Sequence, residues 1–306
     1  MAIHLSTAPC CWGVDDVNNP YLPPWHQVLS EAAQAGYRGI ELGPYGYLPL
    51  NVEELGGALA DNGLHLVAGT IFDNLVDPAN LPSLLKQAND ICALLKALRP
   101  ARQQQEACLP EPYLVIIDWG HEERDYAAGH ANKAPRLSAA EWSVMMLHIR
   151  KIADIANNYG VRAVIHPHAG GYIEFADELA QLVQHIDPDV AGLCLDTGHL
   201  YYAGMDPAAT LRQYAARLDY LHFKDIDPVV FDQVLGERIT FFAACAKGVM
   251  CPIGRGIIDY PALRTLIREL DYQGYITVEQ ERDPRHVGGS LADVTESRSY
   301  LTRCGF

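Results

Sequence analysis

Short apolar runs alternate with longer amphipathic stretches along almost the whole chain, and the two kinds of segment carry different hydrophobic periods. The short runs predict strands over residues 3–11, 39–43, 65–72, 113–119, 163–168, 192–197, 220–224 and 275–281. Between them, apolar positions recurring every three to four residues predict helices over 24–35, 52–61, 81–97, 138–158, 176–185, 207–217 and 260–270, with a last one over 291–302. Boundary signals agree. Ser138 followed by Glu141 reads as a capping box, and Gly36, Gly63, Gly160 and Gly274 stand where helices must stop before the next strand.

Eight strand–helix units in strict alternation predict a parallel sheet with helical crossovers, and the count favours closure into a (β/α)8 TIM barrel. The rival, an open doubly wound sheet, calls for a glycine-rich phosphate turn, and neither GxGxxG nor GxxxxGK[ST] occurs. At 306 residues without a Pro/Gly/Ser linker, the chain is expected to form one barrel domain over 1–306. Irregular segments gather after strand ends, at 44–49, 120–135 and 228–256, as loops that would overhang the mouth.

Composition narrows the function. A hydrophobic share of 49% with 20% charged residues describes a globular chain, and a net charge of −15 with no Lys/Arg cluster excludes a phosphate-tracking nucleic-acid surface. No apolar segment approaches a membrane span of about 18 residues, and the start lacks the basic region of a signal peptide, so a cytoplasmic protein is expected. Cysteines 10, 11, 92, 108, 194, 245, 251 and 304 form no CxxC pair and read as reduced, with Cys10 and Cys11 able to line a pocket at the first strand end.

The carboxyl ends of all strands in a parallel barrel open on one face, so residues there converge whatever their separation in sequence. His166, Asp196, His222 and Glu279 all stand at such ends, and two imidazoles with two carboxylates suit Mn²⁺, Co²⁺, Fe²⁺ or Zn²⁺. In Ala163-Val-Ile-His-Pro-His168 the period of two sets His166 and His168 on one side; packing alone does not call for two imidazoles in register. Asp196, ending Leu-Cys-Leu-Asp, needs a cation or strong donors, the plainer alternative being a cap on the next turn. Lys224 shares the face of His222 and either meets a substrate oxygen, acts as an acid or snorkels outward, while Asp225 faces the other way as a supporting or loop contact. Glu279 and Glu281 put two carboxylates on one face of one buried strand, a conflict that a divalent ion resolves.

His-Pro-His-Ala-Gly-Gly, Leu-Asp-Thr-Gly-His, His-Phe-Lys-Asp, Gly254-Arg-Gly-Ile-Ile-Asp259, Val-Glu-Gln-Glu-Arg-Asp-Pro284 and the early Gly36-Tyr-Arg-Gly-Ile-Glu-Leu-Gly43 together resemble the sugar isomerase/epimerase superfamily, with its xylose-isomerase-like barrel, over nearly the whole chain. Within it the motifs look most like the inosose dehydratase (2-keto-myo-inositol dehydratase) branch. The resemblance implies metal ligands at Asp196, His222 and Glu279, and a fourth on the His-Pro-His strand, where most of the superfamily has Glu; His166 is the aligned residue, with His168 and Glu174 as alternatives. It implies a substrate contact for His199. Ketose epimerases carry an Arg shortly after the His222 equivalent, and here the stretch reads Ile-Asp-Pro-Val. The expected activity is a metal-dependent carbon–oxygen lyase that dehydrates a cyclic polyol ketone such as 2-keto-myo-inositol through an enediolate, the alternative being a sugar isomerase or ketose 3-epimerase. Glu279, His199 and Lys224 are the expected catalytic residues, with Glu41, Trp119, His168 and Glu281 on the substrate. Mn²⁺ or Co²⁺ is the expected ion, ahead of Zn²⁺, Fe²⁺ or Mg²⁺. The expected partner is a small polyol or keto-sugar, with no nucleic acid or membrane, and the chain is compatible with a homo-oligomer.

Overall fold

Alternation along each strand decides which side chains fill the barrel and which meet the helices. The computed structural model describes residues 3–105 and 111–306, which leaves Cys108 outside. Parallel strands Ile3–Thr7, Gly39–Glu41, His65–Asp73, Tyr113–Asp118, Arg162–Ile165, Gly192–Asp196, Leu218–Phe223 and Gly274–Val278 pair in chain order, and the last closes on the first with Thr7 opposite Val278. The expected eight-stranded TIM barrel is thus the observed one. Tyr113, Val115 and Ile117 of the fourth strand pack inside with Val164, Cys194 and Tyr220. Their neighbours Leu114 and Ile116 point outward, with Leu193, Leu195 and Leu221, into the layer between sheet and helices. Each such buried aliphatic side chain contributes roughly 1.5–3 kcal/mol.

The outer helices are Trp25–Gln34, Val52–Asp61, Leu81–Gln105, Ala139–Tyr159, Ala176–His185, Pro207–Gln213, Tyr260–Glu269 and Ser290–Arg303. Ser138 and Glu141 form the expected capping box, and Gly160 ends the same helix in the left-handed region at φ 71°. Among the described residues no helix is long and apolar enough to cross a membrane.

Three expectations need correction. The first strand ends at Thr7, because Pro9, which has no N–H for a ladder, opens a 3₁₀ turn, Pro9–Trp12. The segment expected as one helix over 207–217 breaks at Tyr214 into a helix and a 3₁₀ turn, Ala215–Arg217. Two of the three loops expected to be irregular carry structure of their own: a helical turn, Glu122–Asp125, in the segment 120–135, and helices Pro228–Glu237 and Phe241–Ala246 in the segment 228–256. The cap was readable: the Asp227 carboxylate accepts from Val229 and Val230 N–H, with Pro228 at the first helical position.

The long segment after the seventh strand is held by one buried carboxylate. Asp225 accepts from the N–H groups of Ile226, Gly254, Gly256 and Ile258, all at 2.9–3.0 Å. Gly256 has to be glycine, since a Cβ there would sit 2.2 Å from Asp225 Oδ1. Asp225 therefore faces away from the mouth and organises its rim. We expect Asp225→Ala to lose about 3 kcal/mol of stability in urea unfolding, since buried donors are left without an acceptor; a loss below about 1 kcal/mol would show that the loop holds itself.

Candidate metal centre and active site

Inward parity persists for a few residues beyond the regular ladders, and this assembles the site. The fifth ladder stops at Ile165, the seventh at Phe223 and the eighth at Val278. Asp196 lies opposite His222, and His222 opposite Thr277, so the next inward positions on the last two strands are Lys224 and Glu279. Glu279 N–H still donates to Phe223 O at 3.0 Å, carrying the strand one residue further.

A donor atom from each of His166, Asp196, His222 and Glu279 lies within 4.8 Å of the other three. Three of these side chains are buried, and that of Glu279 is 11% exposed. Two details suit a cation. Glu41 Oε1 lies 2.8 Å from His222 Nε2; a carboxylate only accepts, so Nε2 carries the proton and Nδ1 presents its lone pair. That Nδ1 has no hydrogen-bond partner among the described residues, yet faces Glu279 Oε2 at 3.0 Å and Asp196 Oδ2 at 3.9 Å. A lone pair aimed at two anionic oxygens is stable only with positive charge between them. In its absence the ring takes up a proton instead: burial opposes the imidazolium, but Cys194, Glu279 and Glu41 outweigh it and raise His222 well above its ordinary range. His166 Nε2 lies 3.6 Å from Asp196 Oδ2, too far for a hydrogen bond, and burial keeps the ring neutral.

Asp196 has two tasks. Its Oδ1 caps the helix Thr197–Tyr202 through Gly198 and His199 N–H, at 2.8 and 2.9 Å, leaving Oδ2 toward the imidazoles. Of the expected alternatives the cap is observed, on Oδ1, and it leaves Oδ2 free to serve as a ligand. Gly198 is required there, because a Cβ would come within 2.5 Å of Lys224 Cβ.

The remaining expected site residues take separate places. Glu41 also accepts from Tyr220 Oη at 2.6 Å, so besides lining the cavity it orients His222, the usual work of a carboxylate behind a ligating imidazole. Glu174 turns away from the site, to Gly129 and Gly170 N–H at 2.7 and 2.9 Å, with burial raising its carboxyl to about 8. Lys224, 1% exposed, sets its ammonium 3.0 Å from Asp196 and 2.9 Å from Glu281. Burial disfavours this charge, yet Asp196, Glu279 and Glu281 outweigh it, so the proton is held more firmly than usual. Glu281 Oε2 has no partner among the described residues. Trp119 stacks on Phe72, ring centroids 5.1 Å apart, and lines an outer vestibule of about 770 Å³ rather than the inner cavity of about 100 Å³.

The His168 and His199 rings lie tilted against each other, centroids 3.9 Å apart, and the backbone of Ala169 sets their tautomers in opposite senses. His168 Nδ1 meets Ala169 O at 2.9 Å and must donate, leaving Nε2 with a bare lone pair. Ala169 N–H donates to His199 Nδ1 at 3.1 Å, so the proton of that ring sits on Nε2, which is buried without a partner among the described residues. Burial drives both rings well below the ordinary histidine range, so both are neutral. With its Nδ1 already accepting, His199 suits the role of donor and not of metal ligand. A donor atom from each of His168, His199 and Glu281 lies within 4.8 Å of the others, a second polar nest beside the first.

Sequence reasoning missed Asp15, Phe72 and Phe242, which line the inner cavity with Cys10. Asp15 lies in a loop without periodicity; burial, then Glu281 and Glu279, raise its carboxyl well above the usual range. Phe242 sits on the helix hidden in the segment expected to be irregular.

A closed parallel barrel with nitrogen and oxygen donors converging at its carboxyl-end mouth defines an enzyme of the TIM-barrel class. Residues 29–304 match the xylose isomerase-like TIM barrel family, and the chain belongs to it. An inosose dehydratase of Geobacillus kaustophilus (strain HTA426) is 30% identical over 285 residues, 92% of this chain and 88% of that one. Among solved structures, the probable 3-DHS dehydratase AsbF from Bacillus anthracis aligns at TM-score 0.68 and 16% identity over 98% of both chains. A D-allulose 3-epimerase from Methylomonas sp., in complex with D-allulose, aligns at TM-score 0.69 and 15% identity over 99% of this chain and 97% of that one. At such identities the two structures speak for the fold alone.

Asp196→Asn keeps the helix cap through Oδ1 and removes the charge at Oδ2. We expect an unchanged circular dichroism spectrum and a fall in Mn²⁺ affinity larger than the roughly 10–100-fold that follows loss of an outer partner. Full Mn²⁺ retention after dialysis would remove Asp196 from the ligand set.

Proposed function

We propose that the protein is a metal-dependent dehydratase, a carbon–oxygen lyase, acting on a cyclic polyol ketone such as 2-keto-myo-inositol. The observation that carries this reading is the unspent Nε2–H of His199, a fixed donor beside the ligand set, in a chain 30% identical to an inosose dehydratase. Epimerisation and dehydration both begin with loss of the proton α to a ketone. Only dehydration needs a donor aimed at a hydroxyl one carbon further on.

His166, Asp196, His222 and Glu279 would hold the ion, Mn²⁺ or Co²⁺ by the mixture of imidazole and carboxylate. A divalent ion supplies Lewis-acid polarisation of the ketone when bound. Glu279 is suited to take the α proton: burial resists its ionisation, but His222 and Lys224 outweigh it and keep it a carboxylate. The electron pair left on carbon forms the double bond as the β carbon–oxygen bond breaks, and the hydroxyl, polarised by a hydrogen bond from His199 Nε2–H, departs as water with the proton passed on from Glu279. A neutral imidazole N–H can act toward oxygen in this way when its tautomer is fixed. His168 Nε2 and Glu281 Oε2, both acceptors, would hold the substrate hydroxyl protons, with Trp119 against the outer face of the ring. We place this chemistry in the cytoplasm, where a thiol at the cavity wall such as Cys10 stays reduced.

The test runs in D₂O with the Mn²⁺-loaded protein and an inosose. The wild type should give an unsaturated or dione product; His199→Gln should slow elimination about 10²- to 10⁴-fold while α-proton exchange persists. If ketohexoses epimerise with deuterium incorporation and inososes stay untouched, the dehydratase reading gives way to the epimerase one.

A further inference from the structure

The eighth strand brings two carboxylates to one wall, and the proposed ligand set uses only one of them. Glu279 belongs to that set; Glu281, two residues on, does not. What joins them is Lys224. Its Nζ lies 2.5 Å from Glu279 Oε2, 2.9 Å from Glu281 Oε1 and 3.0 Å from Asp196 Oδ2. Glu279 Oε2 and Asp196 Oδ2 are the same atoms that face His222 Nδ1, and Asp196 Oδ2 is also the one nearest His166 Nε2. The ammonium and a divalent ion would therefore draw on the same two oxygens. Glu281 Oε1 is the only one of the three oxygens beneath Lys224 that faces neither His166 nor His222 among the described ion pairs.

We propose that Lys224 is a resident counter-cation, which holds Asp196 Oδ2 and Glu279 Oε2 together when no ion is bound and yields them to the ion, staying anchored on Glu281. This rests on the ligand set proposed above. Buried carboxylates repel one another unless a positive charge stands among them, and removing one partner of a buried pair is costly. Lys224 thus preserves the spacing of the ligands in the empty site. It also lowers the affinity for the ion, which has to enter beside an ammonium in a medium of low dielectric. On this account the two carboxylates of the eighth strand divide their work: Glu279 serves the ion and Glu281 retains the lysine.

The experiment uses the full chain, stripped with a chelator, titrated with Mn²⁺ by calorimetry and melted with and without the ion. Lys224→Met should bind Mn²⁺ at least about 10-fold more tightly than wild type, melt at a lower temperature without the ion, and gain more from adding it. Glu281→Gln should act in the opposite sense, weakening Mn²⁺ binding several-fold, because the lysine is then left on the ligands alone. Unchanged or weaker binding in Lys224→Met, with the wild type binding normally, overturns the proposal. Should Lys224→Met fail to fold, unchanged or tighter binding in Glu281→Gln overturns it. If the wild type itself takes up no Mn²⁺, the ligand set is wrong and this inference falls with it.

Discussion

Carboxylates withdrawn from water must meet positive charge or donors, and the mouth of this barrel is arranged around that requirement. Closure of the sheet forces Glu41, Asp196, Glu279 and Glu281 toward one axis, with Glu41, Asp196 and Glu281 nearly inaccessible to solvent. Each is answered differently. Glu41 is tied to Tyr220 and His222, Asp196 divides its oxygens between a helix start and Lys224, and Glu279 and Glu281 share the ammonium. The polar belt continues downward, where Tyr220 Oη and Ser6 Oγ both meet Thr277 Oγ1, before the apolar floor begins. A barrel core this polar tolerates little rearrangement, because moving one side chain strands its neighbour's partner.

The parts of this arrangement that were legible in the sequence are those governed by local period. Alternation set His166 with His168, His222 with Lys224, and Glu279 with Glu281 on inward faces, and eight such strands imply convergence. Alternation cannot say how far around the barrel two strand ends lie, nor which oxygen of a carboxylate is already taken. Glu41 was therefore legible as a residue of the mouth but not as the partner of His222, 181 positions away. Lys224 was legible as inward-facing but not as the ion resting on three carboxylates contributed by two other strands. Loops were the least legible. Asp15 has no periodic neighbours to assign it a face, and Phe242 sits on a six-residue helix, Phe241–Ala246, too short to show a hydrophobic period.

A second buried charge system lies outside the first and supports it. Arg124, wholly inaccessible, grips Glu178 through two hydrogen bonds, at 2.7 and 3.0 Å, and also donates to Pro135 O. Glu178 Oε2 in turn accepts from Glu174 and Phe175 N–H, and the Glu174 carboxylate reaches across to Gly129 and Gly170. These bonds fasten the loop after the fourth strand to the turn that follows His-Pro-His. The same turn contains Ala169, whose N–H and C=O assign opposite protons to His199 and His168.

That separation explains why Glu174, though within reach of the site in sequence, has no place in the ligand set. A carboxyl group held by two backbone N–H groups beside a buried guanidinium does structural work that a metal ligand could not share without releasing the turn. Releasing the turn would free the two imidazoles to exchange tautomers, and the distinction between donor and acceptor would be lost. On the proposed reading the two charge systems have to stay apart: the inner one would have to accommodate an arriving ion, and the outer one must not move when it does. In the proposed ligand set His166 would then take the fourth position as a neutral ligand, because the Glu174 carboxyl group nearby is already committed to holding the loop.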